Sequence, residues 1–279
     1  ADLLSALGGT TLLAEFPELL GAEQDLVERC IRPELAVRFA SLMHVYNERA
    51  QAVDRFYEGD FHVRRTSKPT AINGTGDDSH ETVSVFGTSG ADALNLSGIT
   101  IDSNDIDAVS ISGLAGNDTI TASTGYANFS IDAGSDNDLI RFAAGDLAST
   151  QTVVGNSGTD TLSILGADTL TDADFTNVST VEVLQLSGGN DSVDLTAEAK
   201  QAGILTVNGG AGNDTITWTY GTTGITIDAG DGDDLVDNND ADVANDSIDG
   251  GNGNDTIYAR GGNDTLIGGA GNDILNRSE

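Results

Sequence analysis

The sequence predicts a mainly β protein: a parallel β-solenoid over residues 71–279, preceded by a small α-helical region over residues 1–70. Three observations carry that prediction. A nine-residue pattern of Gly and Asp runs unbroken from residue 241 to 276. From residue 72 onward, short strands alternate with Gly-Asp turns. Negative charge is concentrated in the same region. The chain carries a net −33, with 11 acids and 8 bases in residues 1–70 but 34 acids and 4 bases in residues 71–279.

Written in nines, residues 241–276 read ADVANDSID, GGNGNDTIY, ARGGNDTLI, GGAGNDILN. Positions five and six are Asn-Asp, which gives Asp246, Asp255, Asp264 and Asp273. Position eight is aliphatic: Ile248, Ile257, Leu266 and Leu275. Positions one, two and four are mostly Gly, among them Gly250, Gly253, Gly262, Gly268 and Gly271. Glycines at these three positions allow positive φ and tight turns whose carbonyls point inward. Asp at position six adds a carboxylate to those carbonyls. An all-oxygen set of irregular geometry suits a hard cation such as calcium, which takes six to eight ligands. One turn supplies too few oxygens, so stacked turns are expected to share ions. Two nonapeptides make one coil, which puts Asp255 and Asp273 on one edge and Asp246 and Asp264 on the other. Position eight points into the core from a short strand.

These residues resemble the RTX (repeats-in-toxin) family of secreted bacterial proteins, whose nonapeptide is a known signature of a calcium-binding parallel β-helix. The resemblance implies a calcium-loaded parallel β-roll, multiple Ca²⁺ ions and export by type I secretion. The first line departs from the pattern: Ala241, Asp242 and Ala244 replace glycines. Family members usually carry a longer C-terminal export segment, so a fragment or processed product is expected.

The repeat returns upstream at 87–95, 113–121, 133–141, 155–163, 209–217 and 229–237, with a shortened copy at 187–193. Its position-six acids are Asp92, Asp118, Asp138, Asp160, Asp191, Asp214 and Asp234, with Gly209, Gly212 and Gly232 in the turns. Up to Asp255 the spacings are 26, 20, 22, 31, 23, 20 and 21. A plain RTX coil takes 18 residues with a metal turn on each edge. The longer period here predicts one calcium ladder on one edge, the other staying metal-free until the last two coils. The return turn 221–224, Gly-Thr-Thr-Gly, holds no carboxylate. The 31-residue gap is expected to hold a bulged loop at 171–180. Four turns depart from the pattern. Thr88, Asp136 and Ala244 take glycine positions beside Asp92, Asp138 and Asp246, and the Asp191 turn is short.

The strands themselves read as half-buried, with aliphatics flanking one polar residue: Phe129-Ser130-Ile131, Val181-Glu182-Val183, Leu205-Thr206-Val207 and Ile225-Thr226-Ile227. A string of antiparallel hairpins would use the same turn residues. It would not explain why Asp recurs at one position. Generic acidic disorder would not explain the regular strands.

Composition agrees with a solenoid. Aromatics are 5% and Gly numbers 35, so a conventional core would be thin. Coils that pack only on their neighbours need no large core. So acidic a fold repels itself unless cations neutralise it, and it repels nucleic acid as well. Cys30 is the single cysteine, so no intramolecular disulfide can form. No apolar run approaches the ~18 residues of a membrane span, and no signal peptide is visible.

Residues 1–65 read as helical. Pro17 and Pro33 sit at helix starts, and Leu35, Phe39, Leu42, Tyr46, Val53 and Phe56 follow heptad spacing broken at Arg49. Such a helix packs on a hairpin partner or pairs between chains. Capping the open end of the solenoid would protect its strand edges. His44, His62 and His80 form no metal-ligand spacing, and His80-Glu81 lacks the second His of HExxH. Ser89 is not in GxSxG, and the repeat accounts for the adjacent acids Asp233 and Asp234.

Extracellular calcium modules bind with Kd of about 10⁻⁴–10⁻³ M, and tenfold excess over Kd contributes roughly 1.4 kcal/mol per site. Eight sites would contribute about 11 kcal/mol, comparable to the whole stability of a domain. The expected function is therefore a non-catalytic structural β-roll, loose inside a cell and folded outside it. A secreted or cell-surface protein that self-assembles in a surface layer, matrix or adhesin fits this. The alternative is the secretion and folding module of a larger type I-secreted enzyme or toxin.

Overall fold

In the computed structural model, the described residues are 61–64, 71–72, 81–97, 100–101, 106–122, 128–239 and 243–277. The helices expected over residues 1–60 lie outside them. The strand Phe61–Arg64 pairs in parallel with Glu81–Phe86, so the helical expectation fails for residues 61–64. FHVR alternates a β-former with each basic or aromatic neighbour, which suits an end strand better than a helix.

Three parallel sheets form the coil walls. The first contains Phe61–Arg64, Glu81–Phe86, Ile106–Ser112, Phe129–Ser135, Thr152–Ser157 and Val178–Ser179. The second is nine-stranded and continuous: Ala93–Asn95, Thr119–Thr121, Leu139–Ala143, Thr161–Leu165, Val183–Gln185, Thr206–Asn208, Thr226–Asp228, Ser247–Asp249 and Thr265–Ile267. The third contains Thr169–Leu170, Ser192–Leu195, Thr215–Trp218, Leu235–Asn238, Thr256–Tyr258 and Ile274–Asn276. From Glu81 to Thr161 the wall strands alternate between the first and second sheets; from Val183 they alternate between the second and third. The coil at 161–185 visits all three in turn.

The register follows from the side-chain period. Leu94, Ile120, Ile140, Leu162, Leu184, Val207, Ile227 and Ile248 occupy one column of the second sheet, all buried. Leu170, Val193, Ile216, Val236 and Ile257 form the matching column of the third sheet. Each fully buried aliphatic contributes about 1.5–3 kcal/mol, and a one-residue slip would turn a whole column to water. Position eight thus points inward as expected. Leu275, in the last described strand, is 44% exposed. The half-buried strand pattern fails at Leu205, which is 39% exposed. Ile204, just before it, is fully buried instead, while Val207 keeps its place in the buried column.

That helix, Ala197–Ala202, was not expected inside the solenoid. Its signal was present: AEAKQA consists of helix formers, and Gly203 closes it at φ 103°. Its first turn is satisfied from the preceding coil. Asp172 Oδ1 accepts from the N–H of Thr196 at 2.9 Å, Glu198 at 3.1 Å and Ala199 at 3.0 Å. Burial pushes the Asp172 carboxyl up, but the Thr196 hydroxyl and these amides outweigh it and hold the group below its usual range. The expected bulged loop at 171–180 is instead a 3-10 turn, Asp172–Phe175, followed by strand Val178–Ser179. Trp218, Tyr220, Phe142 and Phe175 fill the wider interior of the middle coils.

The turns between strands carry strain where glycine is missing. Leu114 sits at φ 79° and is 48% exposed. A left-handed residue with a branched side chain costs roughly 1–2 kcal/mol. Leu114→Gly is therefore expected to raise stability by about 1 kcal/mol in thermal unfolding, despite glycine's greater unfolded-state entropy.

Candidate metal centre

The position-six acids form hydrogen-bonded ladders. After Asp92, which begins the first run, each aspartate's Oδ1 accepts the backbone N–H of the corresponding residue one coil earlier. Asp92 donates to Asp118 at 2.7 Å, Asp118 to Asp138 at 2.7 Å, and Asp138 to Asp160 at 2.8 Å. A second run joins Asp191 to Asp214 at 2.8 Å, Asp214 to Asp234 at 2.7 Å, Asp234 to Asp255 at 3.0 Å and Asp255 to Asp273 at 3.1 Å. Asp246 donates to Asp264 at 3.0 Å, and Ile225 to Asp246 at 3.0 Å.

These runs occupy two edges, which corrects the expectation of a single ladder. Asp92, Asp118, Asp138 and Asp160 each precede a strand of the second sheet. Asp191, Asp214, Asp234, Asp255 and Asp273 each precede a strand of the third, beyond the other end of the second sheet's strands. The 31-residue spacing is this change of edge. Along the first edge the register continues through Glu182, Leu205 and Ile225 before carboxylates resume at Asp246 and Asp264. Asp255 with Asp273, and Asp246 with Asp264, fall on opposite edges as the nonapeptide period requires.

The ladder leaves one oxygen of each carboxylate over. Oδ2 of Asp118, Asp138, Asp160, Asp191, Asp214, Asp234, Asp255 and Asp264 is buried and accepts no hydrogen bond. An ionised carboxylate oxygen in that position is costly unless a cation balances it. The turn glycines make room for it. Where position one is glycine its φ is not positive, and what it supplies is space; alanine takes the place at Ala133 and Ala229. A methyl on Gly209 would lie 2.8 Å from Asp214 Oδ2, and one on Gly250 would lie 2.5 Å from Asp255 Oδ2 and 2.8 Å from the Gly268 carbonyl. A methyl on Gly268 would likewise meet the Asp273 carboxylate. Positive φ belongs to positions two and four, as at Gly251 (93°), Gly212 (130°), Gly232 (145°), Gly253 (139°), Gly262 (119°) and Gly271 (146°).

Position five supplies a second staple that the sequence reading missed. Its side-chain oxygen accepts the N–H one coil later, opposite to the aspartate direction. Asn213 donates to Asn190 at 2.9 Å, Asp233 to Asn213 at 3.1 Å, Asn254 to Asp233 at 2.7 Å and Asn272 to Asn254 at 3.0 Å. The recurrence of Asn at position five, constant over 241–276, was the signal. Asp168 was also missed: its N–H donates to Asp191 Oδ1 at 2.6 Å, so it opens the second ladder.

The irregular turns differ among themselves. Asp92 Oδ2 accepts from both the N–H and hydroxyl of Thr88, at 2.5 and 2.8 Å, so that oxygen is engaged within its own turn. Asp136 takes a glycine's conformation at φ 80° and leaves Asp138 in the ladder. The shortened turn likewise leaves Asp191 in register. Ala241 and Asp242, ahead of Asp246, lie outside the described residues.

Burial is the largest influence on these carboxyls. It pushes Asp138, Asp214 and Asp234 up to about 6, and raises Asp118, Asp160, Asp191 and Asp255. The amide donated to each lowers it in part, and neighbouring carboxylates raise it further. Without metal, the folded state then binds more protons than the unfolded chain between about pH 4 and 6. Stability is therefore lost as pH rises through that window. In EGTA, the melting temperature is expected to be higher at pH 5 than at pH 7. In millimolar calcium the order reverses, since protons compete for the same oxygens; paired thermal scans check both.

Among the described residues, no three His, Cys, Asp or Glu side chains converge on one point. An ion must therefore be held by one or two carboxylates together with backbone carbonyls. That donor set fits calcium and not a tetrahedral N/S metal such as zinc.

Comparison with known proteins agrees. The family model for the RTX calcium-binding nonapeptide repeat matches four copies, over residues 108–126, 206–217 and 240–275. Residues 1–61 match the model for the C-terminal part of D-galactarate/altronate dehydratase. No curated protein and no solved structure matches the chain. With its repeats matched by that family model and stacked as a parallel β-solenoid, this chain carries RTX calcium-binding nonapeptide repeats.

Proposed function

We propose that the solenoid is a non-catalytic, calcium-folded β-roll of a secreted or cell-surface protein, folding only after export. The ligands would be Asp118, Asp138, Asp160, Asp191, Asp214, Asp234, Asp246, Asp255, Asp264 and Asp273, with carbonyls of the turn glycines. When bound, calcium supplies positive charge to neighbouring coils at once. The chain's own residues hold the carboxylates in file, exclude protons donors from Oδ2 and set the coil spacing. The observation that carries this reading is the set of eight buried carboxylate oxygens without a hydrogen-bond donor, in files on two edges. No helix among the described residues is long and apolar enough to cross a membrane.

The region expected over residues 1–70 would serve capping or assembly up to the solenoid strand Phe61–Arg64, and the chain would associate in a surface layer, matrix or adhesin. Sedimentation velocity across a calcium series tests this. Assembly predicts species larger than the monomer that grow in with β structure. A folded monomer throughout would reduce the protein to a folding module. The dehydratase-like match over residues 1–61 favours one second reading, an enzyme fused to the roll. Turnover of D-galactarate by the full chain would support it; none is expected.

A further inference from the structure

We propose that Asp160, Glu182 and the Thr180 carbonyl form a further cation site, one that ends the first ladder at the coil where the carboxylates change edge. It rests on the calcium reading and takes the same class of ligand, a hard divalent cation. Neither Thr180 nor Glu182 belongs to a nonapeptide: the stretch TNVSTVEVLQ (176–185) has no Gly and no Asn-Asp pair.

The geometry nonetheless repeats that of a ladder step. Asp160 is fully buried; its Oδ1 accepts from Asp138 N–H at 2.8 Å, and its Oδ2 has no hydrogen-bond partner. One coil later, Glu182 Oε2 accepts the Asp160 N–H at 2.8 Å, the contact that an aspartate makes elsewhere. A glutamate thus stands where the motif would place Asp. The backbone register is also that of the ladder, with Val183 opposite Thr161. Thr180 supplies the remaining element. A methyl on Gly155 would strike the Thr180 carbonyl oxygen and lie 2.5 Å from Asp160 Oδ2, so both oxygens face the same point. Gly113 and Gly209 have the same pair of neighbours, a carbonyl from the next coil and an aspartate Oδ2. Thr180 presents its carbonyl from φ 51°, a left-handed conformation that a β-branched residue rarely adopts. Neither carboxylate has a Lys or Arg partner among the described residues. The next residues in the column, Leu205 and Ile225, carry no charge, so the site is terminal.

The test is the number of calcium ions bound per full-length chain, by equilibrium dialysis and atomic absorption, with circular dichroism to confirm the fold. Glu182→Gln keeps an acceptor for the Asp160 N–H and is expected to bind about one ion fewer than wild type. Asp214→Asn, in the second ladder, is the reference. If it loses ions and a folded Glu182→Gln does not, the Glu182 site is wrong while the calcium reading stands. If wild type itself binds no calcium, the calcium reading fails first. Should Glu182→Gln not fold, Glu182→Asp decides. A wild-type count with a Kd raised severalfold supports the site, and an unchanged Kd overturns it.

Discussion

Asp234→Asn will be more stable than wild type in EGTA and less stable in millimolar calcium. Asn preserves the Oδ1 acceptor that Asp214 N–H uses at 2.7 Å, so the backbone ladder survives. It removes a charge from a side chain that is 2% exposed, flanked by Asp255 and Asp233, and pushed up to about 6 by burial first and by those carboxylates next. Relieving an unbalanced buried polar group is worth about 1–3 kcal/mol, so the metal-free variant gains by that order at pH 7. In calcium the balance inverts. The variant loses a charged ligand on a file where adjacent coils share ions, at roughly 1.4 kcal/mol per site at tenfold excess over Kd. Thermal unfolding of both proteins in both buffers gives four melting temperatures. The expected signature is a crossing of the two differences; a variant that loses stability equally in both buffers would assign Asp234 a packing role alone.

Gly232→Val will lower the melting temperature in calcium by roughly 6–12 °C, from a cost of about 3 kcal/mol spread over a chain of this size. Two costs coincide at this position. Gly232 holds φ 145°, which is strained for any side chain. A Cβ there would also collide with the Gly212 carbonyl, lying 2.5 Å from its carbon and 3.2 Å from Asn213 N. Both obstacles are backbone of the neighbouring turn, so relief means separating coils, and the Asp214–Asp234 step goes with them. Gly90 is the matched control: nothing lies within 4 Å of its Cβ position. Gly90→Val should change stability by no more than about 0.5 kcal/mol.

These substitutions separate what was legible in the sequence from what was not. The solenoid, its inward aliphatics and the recurring Asp could be read because each coil repeats one local solution. The period alone could not show that Asp160 and Asp191 stand on different edges. A spacing of 31 reads as an insertion when only carboxylates are counted. It becomes an edge change once Glu182 and Asp168 are placed by strand register. Glu182 escaped because it lies in a valine-rich stretch without glycine, just ahead of the strand Val183–Gln185, where the bland expectation is a solvated residue. The helix Ala197–Ala202 was hidden by the strength of the surrounding β pattern, although its Gly203 cap was visible. Glycine at position one was assigned to backbone freedom, whereas the structure uses it as space for a carboxylate oxygen. That distinction needs three dimensions, since all glycines look alike in one.

The most direct test of the central claim is far-UV circular dichroism of the full chain, titrated with calcium from EGTA to 10 mM at pH 7. The account predicts a cooperative gain of β signal in the submillimolar to millimolar range, reversed by excess EGTA. A β signal already complete in EGTA and unmoved by calcium would contradict it, since the stacked carboxylates would then be tolerated without any cation.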